Sequence, residues 1–517
     1  MIHHAKHLLG LFSLTSAFAI FAGPFGDVDN GAVDYRQTSL KAKVPCRTLV
    51  QQTNTDFSVI SSISIDGVCR VSGVIPGEIR FEVNLPDNWN GRMMMTGNGG
   101  LGGQAPDSAW PQQQRDGILK FGFATAYTDT GHDNRVEPGG SFAHNNLAKL
   151  VDYGYRAVHL TAVTAKTLIS HYYKHAPHYN YFVGCSNGGR QALMAAQRFP
   201  EDFDGILAGA PANDFTGLKF SQAHRIKALN SSPISPEKVY LLGKYIYEKC
   251  DVVDGLKDGL ISDPRQCDFD PEKDLPRCLT AETTKCFTAK EQAALSMFYA
   301  PVTLAGKEVY PAFPVGSEGV GPSYGGQLLP GWIPWVVAPE GKPILDSLGS
   351  EFFRYIVFVE DKPDYNWIEF DFQAAPDNLN QASYILDATD PDLSEFRING
   401  GKLISYFGWA DPDINPLTAI SYQQAVDDKV AGDVNDFYRL FMVPGMFHCT
   451  GGPGPFDFDA ITPLIDWVEQ KNAPDVIIGR NLDGDVVKLE RPLCPAPMQA
   501  KYLGVGKLNK ASSFECQ

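Results

Sequence analysis

The sequence predicts an α/β fold with a largely parallel sheet and a long segment inserted between two of its strands. In the first half of the chain, short apolar strand patterns alternate with helix patterns, and apolar strand patterns occur again near the C-terminus. Strands that alternate with helices form parallel sheets with both faces covered. The predicted strands lie at residues 79–85, 93–95, 121–127, 181–183, 206–208, 402–407 and 438–443.

The interval between the predicted strands at residues 206–208 and 402–407 lacks this alternation and is rich in Pro, Gly and aromatic residues. A chain of 517 residues is also too long for one simple core. We therefore expect a lid domain at residues 216–399, inserted into a catalytic domain that consists of residues 20–215 and 400–517.

The N-terminus has the pattern of a secretory signal. Lys6 precedes an apolar run at residues 8–21 that contains small residues, which predicts a signal over residues 1–19, cleaved near Ala19 or Ala22. A short membrane anchor is the alternative, but the run is shorter than the roughly 20 residues that a bilayer needs. Ten cysteines fit an oxidising compartment, so a secreted protein, extracellular or periplasmic, is expected.

The formal net charge of −16 bears on the partners of the protein. Binding of nucleic acid phosphates needs a basic face, and no run of Lys and Arg is dense. A soluble enzyme with a small substrate, and with no nucleic acid or membrane partner, is expected. The sequence offers no basis for predicting the oligomeric state.

Two copies of the pattern G-x-S-x-G occur, centred on Ser186 and Ser323. An apolar strand pattern precedes Ser186 and a helix pattern that ends before Pro200 follows it, as in a nucleophile elbow. Glycines and prolines on both sides of Ser323 exclude that context. Ser186 is the candidate nucleophile, and Ser323 is interpreted as a loop residue.

A nucleophile of this type needs an acid and a histidine, in that order, on loops after later strands. Of eleven histidines only His448 lies beyond His224, and it follows the last predicted strand. We expect His448 to act as the general base. Asp411 follows the preceding strand and is the candidate acid, with Asp413 as the second choice.

The oxyanion of an ester intermediate needs backbone donors. Asn187 directly follows the candidate nucleophile and would supply one N–H group. The glycine-rich segment 97–103 follows an early predicted strand, so Gly99 or Gly100 would supply the other. A flexible turn without this role is the alternative for the glycine segment.

Cysteines adjoin both of the central candidates. Cys185 precedes Ser186 and Cys449 follows His448, so contact between the serine and the histidine would bring the two thiols close enough to bridge. Two buried free thiols are the alternative.

Taken together, these residues resemble the tannase and feruloyl esterase family, secreted serine esterases that include hydrolases of mono(hydroxyethyl) terephthalate. The family has a Cys-Ser, Asp, His-Cys arrangement with a disulfide between nucleophile and base. The segments GCSNGGRQ, GAPA, GWADP and VPGMFHCTGG resemble its motifs, over a range from about Cys46 to Cys516. The resemblance implies an α/β-hydrolase fold with a large lid.

The family also carries a calcium site in its lid. By resemblance, Asp251, Asp254 and Asp258 would supply carboxylate oxygens, and Leu256 and Leu260 backbone carbonyls. Three carboxylates in a short glycine-containing loop independently suit a hard cation, in a structural role. An ordinary acidic turn is the alternative.

The remaining cysteines are assigned only by the family pattern, because sequence alone does not determine the pairing. The pairs that it implies are Cys46–Cys69, Cys250–Cys267, Cys278–Cys286 and Cys494–Cys516.

A serine, acid and histidine with an oxyanion site support ester hydrolysis through an acyl-enzyme, with no organic cofactor. Aromatic side chains in the lid would bind an aromatic acyl group, although each can instead form lid core. We expect a feruloyl esterase, with a tannase, a terephthalate monoester hydrolase or a non-catalytic secreted binding protein as alternatives. The aromatic candidates are Trp332, Trp335, Phe352, Phe353, Tyr355 and Trp367, of which Trp335, Phe353 and Tyr355 are the chosen pocket residues.

Overall fold

The structure is a computed structural model that describes residues 28–279, 283–323 and 326–517. The predicted signal at residues 1–19 lies outside these ranges. No helix within them is long and apolar enough to cross a membrane.

A nine-stranded mixed sheet forms the centre of the molecule. Its strands are β1 (Ser58–Ile65), β2 (Val68–Ile75), β3 (Ile79–Pro86), β4 (Arg92–Thr96), β5 (Ala124–Thr128), β6 (Tyr179–Cys185), β7 (Gly205–Gly209), β8 (Lys402–Gly408) and β9 (Tyr438–Val443).

The strand order across the sheet is β9-β8-β7-β6-β4-β5-β3-β2-β1. Strands β4 to β9 run parallel to one another, whereas β1, β2 and β3 form antiparallel pairs and β3 joins β5 antiparallel. Strands β5 and β7 are buried along their whole length, as expected where helices cover both faces of a parallel sheet. The predicted α/β class is confirmed.

Ten helices of eight or more residues occur in the described ranges. They are α1 (Ala109–Leu119), α2 (Ala157–Tyr173), α3 (Asn187–Arg198), α4 (Phe215–Ser231), α5 (Pro236–Cys250), α6 (Ala289–Tyr299), α7 (Ile344–Tyr355), α8 (Leu379–Leu386), α9 (Leu417–Lys429) and α10 (Ile461–Gln470).

The remaining strands form antiparallel pairs outside the central sheet. These are Leu40–Lys41 with Asn88–Trp89, Val302–Leu304 with Lys307–Tyr310, Val320–Pro322 with Leu328–Pro330, Ile477–Asp483 with Val486–Leu493, and Ala500–Tyr502 with Phe514–Cys516.

Three features of the sheet differ from the prediction. Strands β1 and β2 were not predicted: a bulge between Val59 and Ser61 interrupts the alternation of β1, whereas β2 alternates buried with half-buried residues and was missed. Strand β3 is buried on both faces, not on one as its alternating pattern indicates. Strand β5 begins at Ala124 and not at residue 121, because Gly122 has a φ of +80° in the turn after α1.

The long insertion lies between two strands that are direct neighbours. Strands β7 and β8 pair in register, with Lys402 opposite Gly205, so the chain leaves the sheet after Gly209 and returns to the adjacent position. Aromatic rings of the inserted segment pack together, with Phe353 4.8 Å from Phe370 between ring centroids. The division into domains at residues 216 and 399 stays a prediction.

Candidate active site

Ser186 occupies a strained turn between β6 and α3. Its φ and ψ are +64° and −123°, a conformation that non-glycine residues rarely adopt. The Ser186 N–H donates to the Gly209 carbonyl at the end of β7, and the Ser186 carbonyl accepts from Arg190 and Ala212 N–H groups. These bonds hold the serine at the end of the strand, with 8% of its surface exposed.

The two glycines of the G-x-S-x-G pattern allow strand and helix to approach closely. A Cβ atom on Gly184 would lie 2.5 Å from the Gly188 carbonyl carbon, and one on Gly188 would lie 3.3 Å from the Asn98 oxygen. In the same pattern around Ser323, the serine lies in the hairpin between Val320–Pro322 and Leu328–Pro330 and belongs to neither strand. The interpretation of Ser323 as a loop residue is confirmed.

Asp411 and His448 meet on the loops that follow β8 and β9. The His448 Nδ1 atom lies 2.7 Å from Asp411 Oδ2, and both side chains are fully buried. The other Asp411 oxygen, Oδ1, accepts from the Asp413 and Ile414 N–H groups. Asp413 instead accepts a hydrogen bond from Gln222, so the carboxylate on the imidazole is that of Asp411.

Two opposing influences act on the His448 imidazole. Burial alone would lower its pKa, but the charge of Asp411 and the hydrogen bond to it together raise the pKa above its ordinary value. The pair therefore stabilises the protonated imidazole, which is the form a general base adopts after it takes a proton.

A disulfide joins the serine loop to the histidine loop. Cys185 and Cys449 are bonded, with their Cα atoms 6.0 Å apart. Ser186 and His448 are each the chain neighbour of a bridged residue, and neighbouring Cα atoms are only about 3.8 Å apart. The predicted bridge is present and brings the two candidates onto adjoining loops.

The glycine-rich segment 97–103 packs against the start of α3. The Gly103 N–H donates to the Asp129 carbonyl beyond β5, and a Cβ atom on Gly97 would lie 2.7 Å from the Gly188 Cα. By contrast, a Cβ atom on Gly99 or Gly100 would meet no atom within 4 Å. The two candidate oxyanion glycines therefore border open space.

A hydrogen-bond network that the sequence did not reveal surrounds Asn187. Its Oδ1 atom accepts from the Tyr153 hydroxyl at 3.0 Å and from Arg190 Nε at 2.8 Å. The Tyr153 oxygen also lies 3.1 Å from the Gly100 carbonyl. The only sign of this network in the local sequence was Arg190, a charged residue on the face of α3 that a nucleophile elbow buries.

The three predicted pocket residues occupy different positions. The Trp335 ring lies edge-on to the His448 ring with centroids 5.0 Å apart, so it is brought to the site. Phe353 is fully buried among aromatic side chains, and its predicted role in substrate binding stays a prediction. Tyr355 is half-buried beside His144, with ring centroids 5.8 Å apart.

The predicted calcium loop has oxygen donors but also an internal cation. Asp251 accepts from the N–H groups of Asp258 and Gly259, and Asp254 accepts from Leu256 N–H. Asp258 forms an ion pair of 2.5 Å with Arg491 of the C-terminal hairpin.

The fit of this loop to a metal is therefore partial. In the described ranges, no three His, Cys, Asp or Glu side chains are grouped closely enough to hold an ion. The donor set still consists of the carboxylate and carbonyl oxygens that calcium prefers. Calcium binding, including the predicted role of the Leu260 carbonyl, stays a prediction.

The other cysteines pair as the family pattern implies. The structure contains Cys46–Cys69, Cys250–Cys267, Cys278–Cys286 and Cys494–Cys516, which together with Cys185–Cys449 use all ten cysteines of the sequence.

Serine, acid and histidine follow one another along the chain and lie after strands β6, β8 and β9 of a mostly parallel sheet, which is the organisation of the α/β hydrolases. The protein has this fold. A family model described as "Tannase and feruloyl esterase" matches residues 64–517, and the chain belongs to that family.

Relatives of known name support the same assignment. The chain is 35% identical to an uncharacterised esterase of Xanthomonas campestris pv. campestris, with 90% of this chain and 86% of that protein covered. It is 32% identical to the mono(2-hydroxyethyl) terephthalate hydrolase of Piscinibacter sakaiensis, with 88% and 86% covered.

Solved structures agree with the sequence relatives. Feruloyl esterase B from Aspergillus oryzae superimposes with a TM-score of 0.78 at 26% identity, covering 92% of this chain and 100% of that one. Family and relatives together establish a carboxylic ester hydrolase and do not support a non-catalytic binding protein.

Proposed function

We propose that this protein is a secreted serine esterase that hydrolyses esters of aromatic carboxylic acids, with feruloyl esters as the first choice. The observation that carries the proposal is the Asp411–His448 pair, fully buried and connected by the Cys185–Cys449 disulfide to the elbow of Ser186. This arrangement supports nucleophilic catalysis at an ester carbonyl.

In the proposed reaction, Ser186 Oγ attacks the ester carbonyl carbon while His448 Nε2 takes the hydroxyl proton. Asp411 holds the imidazole in the tautomer that protonates Nδ1 and stabilises the imidazolium. The N–H groups of Asn187 and of Gly99 or Gly100 bind the oxyanion.

When the tetrahedral intermediate collapses, the C–O bond to the alcohol breaks and His448 returns the proton to the leaving oxygen. Water then attacks the acyl-enzyme by the same proton route, releasing the carboxylic acid and restoring the Ser186 hydroxyl. No further cofactor takes part in these steps.

An aromatic acyl group is favoured by the position of Trp335, whose ring is in contact with the catalytic imidazole. The name of the Aspergillus oryzae structure supports feruloyl esters. The Piscinibacter sakaiensis relative supports a terephthalate monoester as a second candidate, and the family description keeps gallate esters as a third.

Secretion is part of the proposal. Five disulfides support it, since such bonds persist in oxidising compartments. The signal pattern at residues 1–19 supports it from the sequence.

A turnover panel tests the proposal. Methyl ferulate, methyl gallate and a terephthalate monoester are assayed with wild type and with Ser186→Ala, which should lose more than about 1,000-fold in kcat. Methyl ferulate should show the highest kcat/KM. If wild type turned over none of the three, the aromatic specificity would be wrong, and full activity of Ser186→Ala would exclude Ser186 as nucleophile.

A further inference from the structure

Arg190 is a buried cation one helical turn beyond Ser186. Its side chain is completely buried in α3. Nε donates to Asn187 Oδ1, and the terminal nitrogens donate to the backbone carbonyls of Tyr153, Gly154 and Leu386 at 2.9 to 3.1 Å. All four of these acceptors lie in the described part of the chain and are uncharged.

A guanidinium without a carboxylate contact is costly to bury, and here neutral dipoles and aromatic faces stabilise it. Its carbon lies 4.9 Å from the ring centre of Tyr153 and 5.5 Å from that of Phe215. Burial lowers the pKa of Arg190 from its ordinary value, while the charge of Asp387 acts in the opposite direction. An arginine guanidinium is not deprotonated in proteins, so the side chain stays charged at neutral pH.

Two carbonyls that accept from Arg190 come from the π-helical turn Asp152–Arg156 before α2. A π-turn shifts backbone hydrogen bonds to the i→i+5 pattern, and such turns are frequent at functional sites. The third carbonyl, that of Leu386, ends α8 of the insertion. One side chain therefore connects the nucleophile helix, the turn before α2 and the inserted segment.

We propose that Arg190 is a positioning residue for ester hydrolysis: it fixes Asn187 and places a positive charge, which has no direct carboxylate partner, beside the residue whose N–H group binds the oxyanion. This inference rests on the proposed function, because it assigns the oxyanion to the N–H of Asn187. The charge favours the anionic tetrahedral intermediate over the neutral ester, since preorganised charge in a dry site acts most strongly where new charge develops. It therefore acts on kcat and little on KM.

The experiment compares wild type with Arg190→Met and Arg190→Lys. We measure kcat, KM and the inhibition constant of phenylboronic acid, which forms an anionic tetrahedral adduct with a catalytic serine. For Arg190→Met we expect kcat to fall about 10- to 100-fold and the boronate inhibition constant to rise in parallel, with KM within about threefold of wild type. Arg190→Lys keeps the charge without the planar guanidinium, so its kcat and boronate inhibition constant should lie between those of wild type and Arg190→Met.

Arg198→Met is the matched control. Arg198 lies on the same helix, about three turns from Ser186, donates to the Tyr384 carbonyl of α8 and stacks on the rings of Tyr155 and Tyr384. The Arg198→Met substitution removes a contact to the insertion without removing charge near Asn187, so kcat should stay within about twofold of wild type. An equal loss of kcat in Arg198→Met would show that attachment of α8, not charge, is the cause.

Asn187→Asp keeps the experiment decisive if Arg190→Met does not fold. The new carboxylate has nearly the same shape, would pair with Arg190 Nε and would cancel the charge. We expect a melting temperature at or above that of wild type, together with lower kcat and weaker boronate inhibition. Wild-type kcat in Asn187→Asp, or in a folded Arg190→Met, would overturn the proposal.

Failure of the proposed function gives a different result. A fluorophosphonate probe should modify Ser186 in wild type and in all folded variants. An unmodified Ser186 in wild type would refute the nucleophile, whereas modified Ser186 with normal kcat in Arg190→Met would refute only the role of Arg190.

Discussion

The Asp411–His448 pair allows a prediction about pH. A general base must be neutral in the free enzyme, and the pKa of His448 is raised by Asp411 against the effect of burial. Activity should therefore fall as pH drops through the raised pKa, which places the acid limb of kcat/KM above pH 6.5.

Asp411→Asn should move that limb in a known direction. Without the carboxylate charge, burial dominates and the pKa of His448 falls, so the acid limb should move to lower pH while kcat drops about 1,000- to 10,000-fold. A pH profile of kcat/KM measures both effects. Asp413→Asn, which removes a nearby carboxylate that does not contact the imidazole, should shift the limb less; an acid limb that rises in Asp411→Asn would contradict the assignment.

At the scale of single residues, the sequence predicted those site residues that a local pattern or a unique position along the chain identifies. Ser186 has a strand and a helix beside it, and His448 is the single histidine beyond His224. Arg190 could not be recognised in the same way, because its acceptors Gly154 and Leu386 are distant in sequence and meet only in the fold. The role of Phe353 stays a prediction, because an aromatic residue in a core and one in a pocket look alike in sequence.

The nucleophile elbow depends on the absence of side chains at defined positions. A Cβ atom on Gly184 would lie 2.5 Å from both the carbonyl carbon and oxygen of Gly188, which is too close for any real contact. Gly184→Ala should separate β6 from α3, lower the unfolding free energy by about 1–3 kcal/mol and reduce kcat more than about tenfold. Chemical denaturation and turnover measure these effects.

Gly117→Ala is the control for that variant. Gly117 lies within α1, and an added Cβ atom would meet nothing within 4 Å. Because Ala has the higher helix propensity, the unfolding free energy should rise by up to about 1 kcal/mol, with turnover unchanged. Equal destabilisation by both variants would show that packing at the elbow is not the cause.

The Cys185–Cys449 disulfide closes a large loop, with a sequence separation of 264. Replacing both cysteines with alanine should lower the unfolding free energy by about 3–5 kcal/mol and reduce kcat, because the serine and histidine loops are no longer joined. Replacement of Cys278 and Cys286, which close a loop with a separation of 8, should cost less and leave kcat unchanged.

Thermal melts and turnover distinguish these outcomes, and a peptide map without reduction tests the bond itself. Finding either Cys185 or Cys449 as a free thiol would contradict the disulfide. Equal kcat in the Cys185/Cys449 double variant and in wild type would show that the bridge stabilises the fold without positioning the site.

At the scale of elements, the sequence predicted the strands that carry the site and missed those at the margin. Strands β7, β8 and β9 are apolar because they are buried, so their pattern is strong. Strand β1 is half exposed and bulged, and no periodic signal survives there. The insertion consists of short elements whose positions depend on contacts between distant residues.

At the scale of the whole molecule, calcium binding would change the unfolding free energy. If the loop of Asp251, Asp254 and Asp258 binds calcium, a free concentration of 100 times Kd adds about 2.7 kcal/mol to the unfolding free energy. EDTA should lower the melting temperature and excess calcium should restore it. Asp254→Asn should abolish the response, whereas Asp268→Asn, outside the loop on the exposed surface, should keep it.

Two results would count against the calcium site: a melting temperature that EDTA leaves unchanged, and a protein without bound metal by elemental analysis. In that case the Arg491 guanidinium, paired with Asp258, would be the cation that neutralises the loop.

The Cys185–Cys449 bond has a topological consequence for the intact protein. Because the insertion leaves the sheet after β7 and returns at β8, it lies entirely inside the covalent ring that this bond closes. A protease that cuts once anywhere between the two cysteines opens the ring but separates no fragment. The protein nicked within its insertion would thus run at full mass on a gel without reductant, and only reduction would reveal the cut.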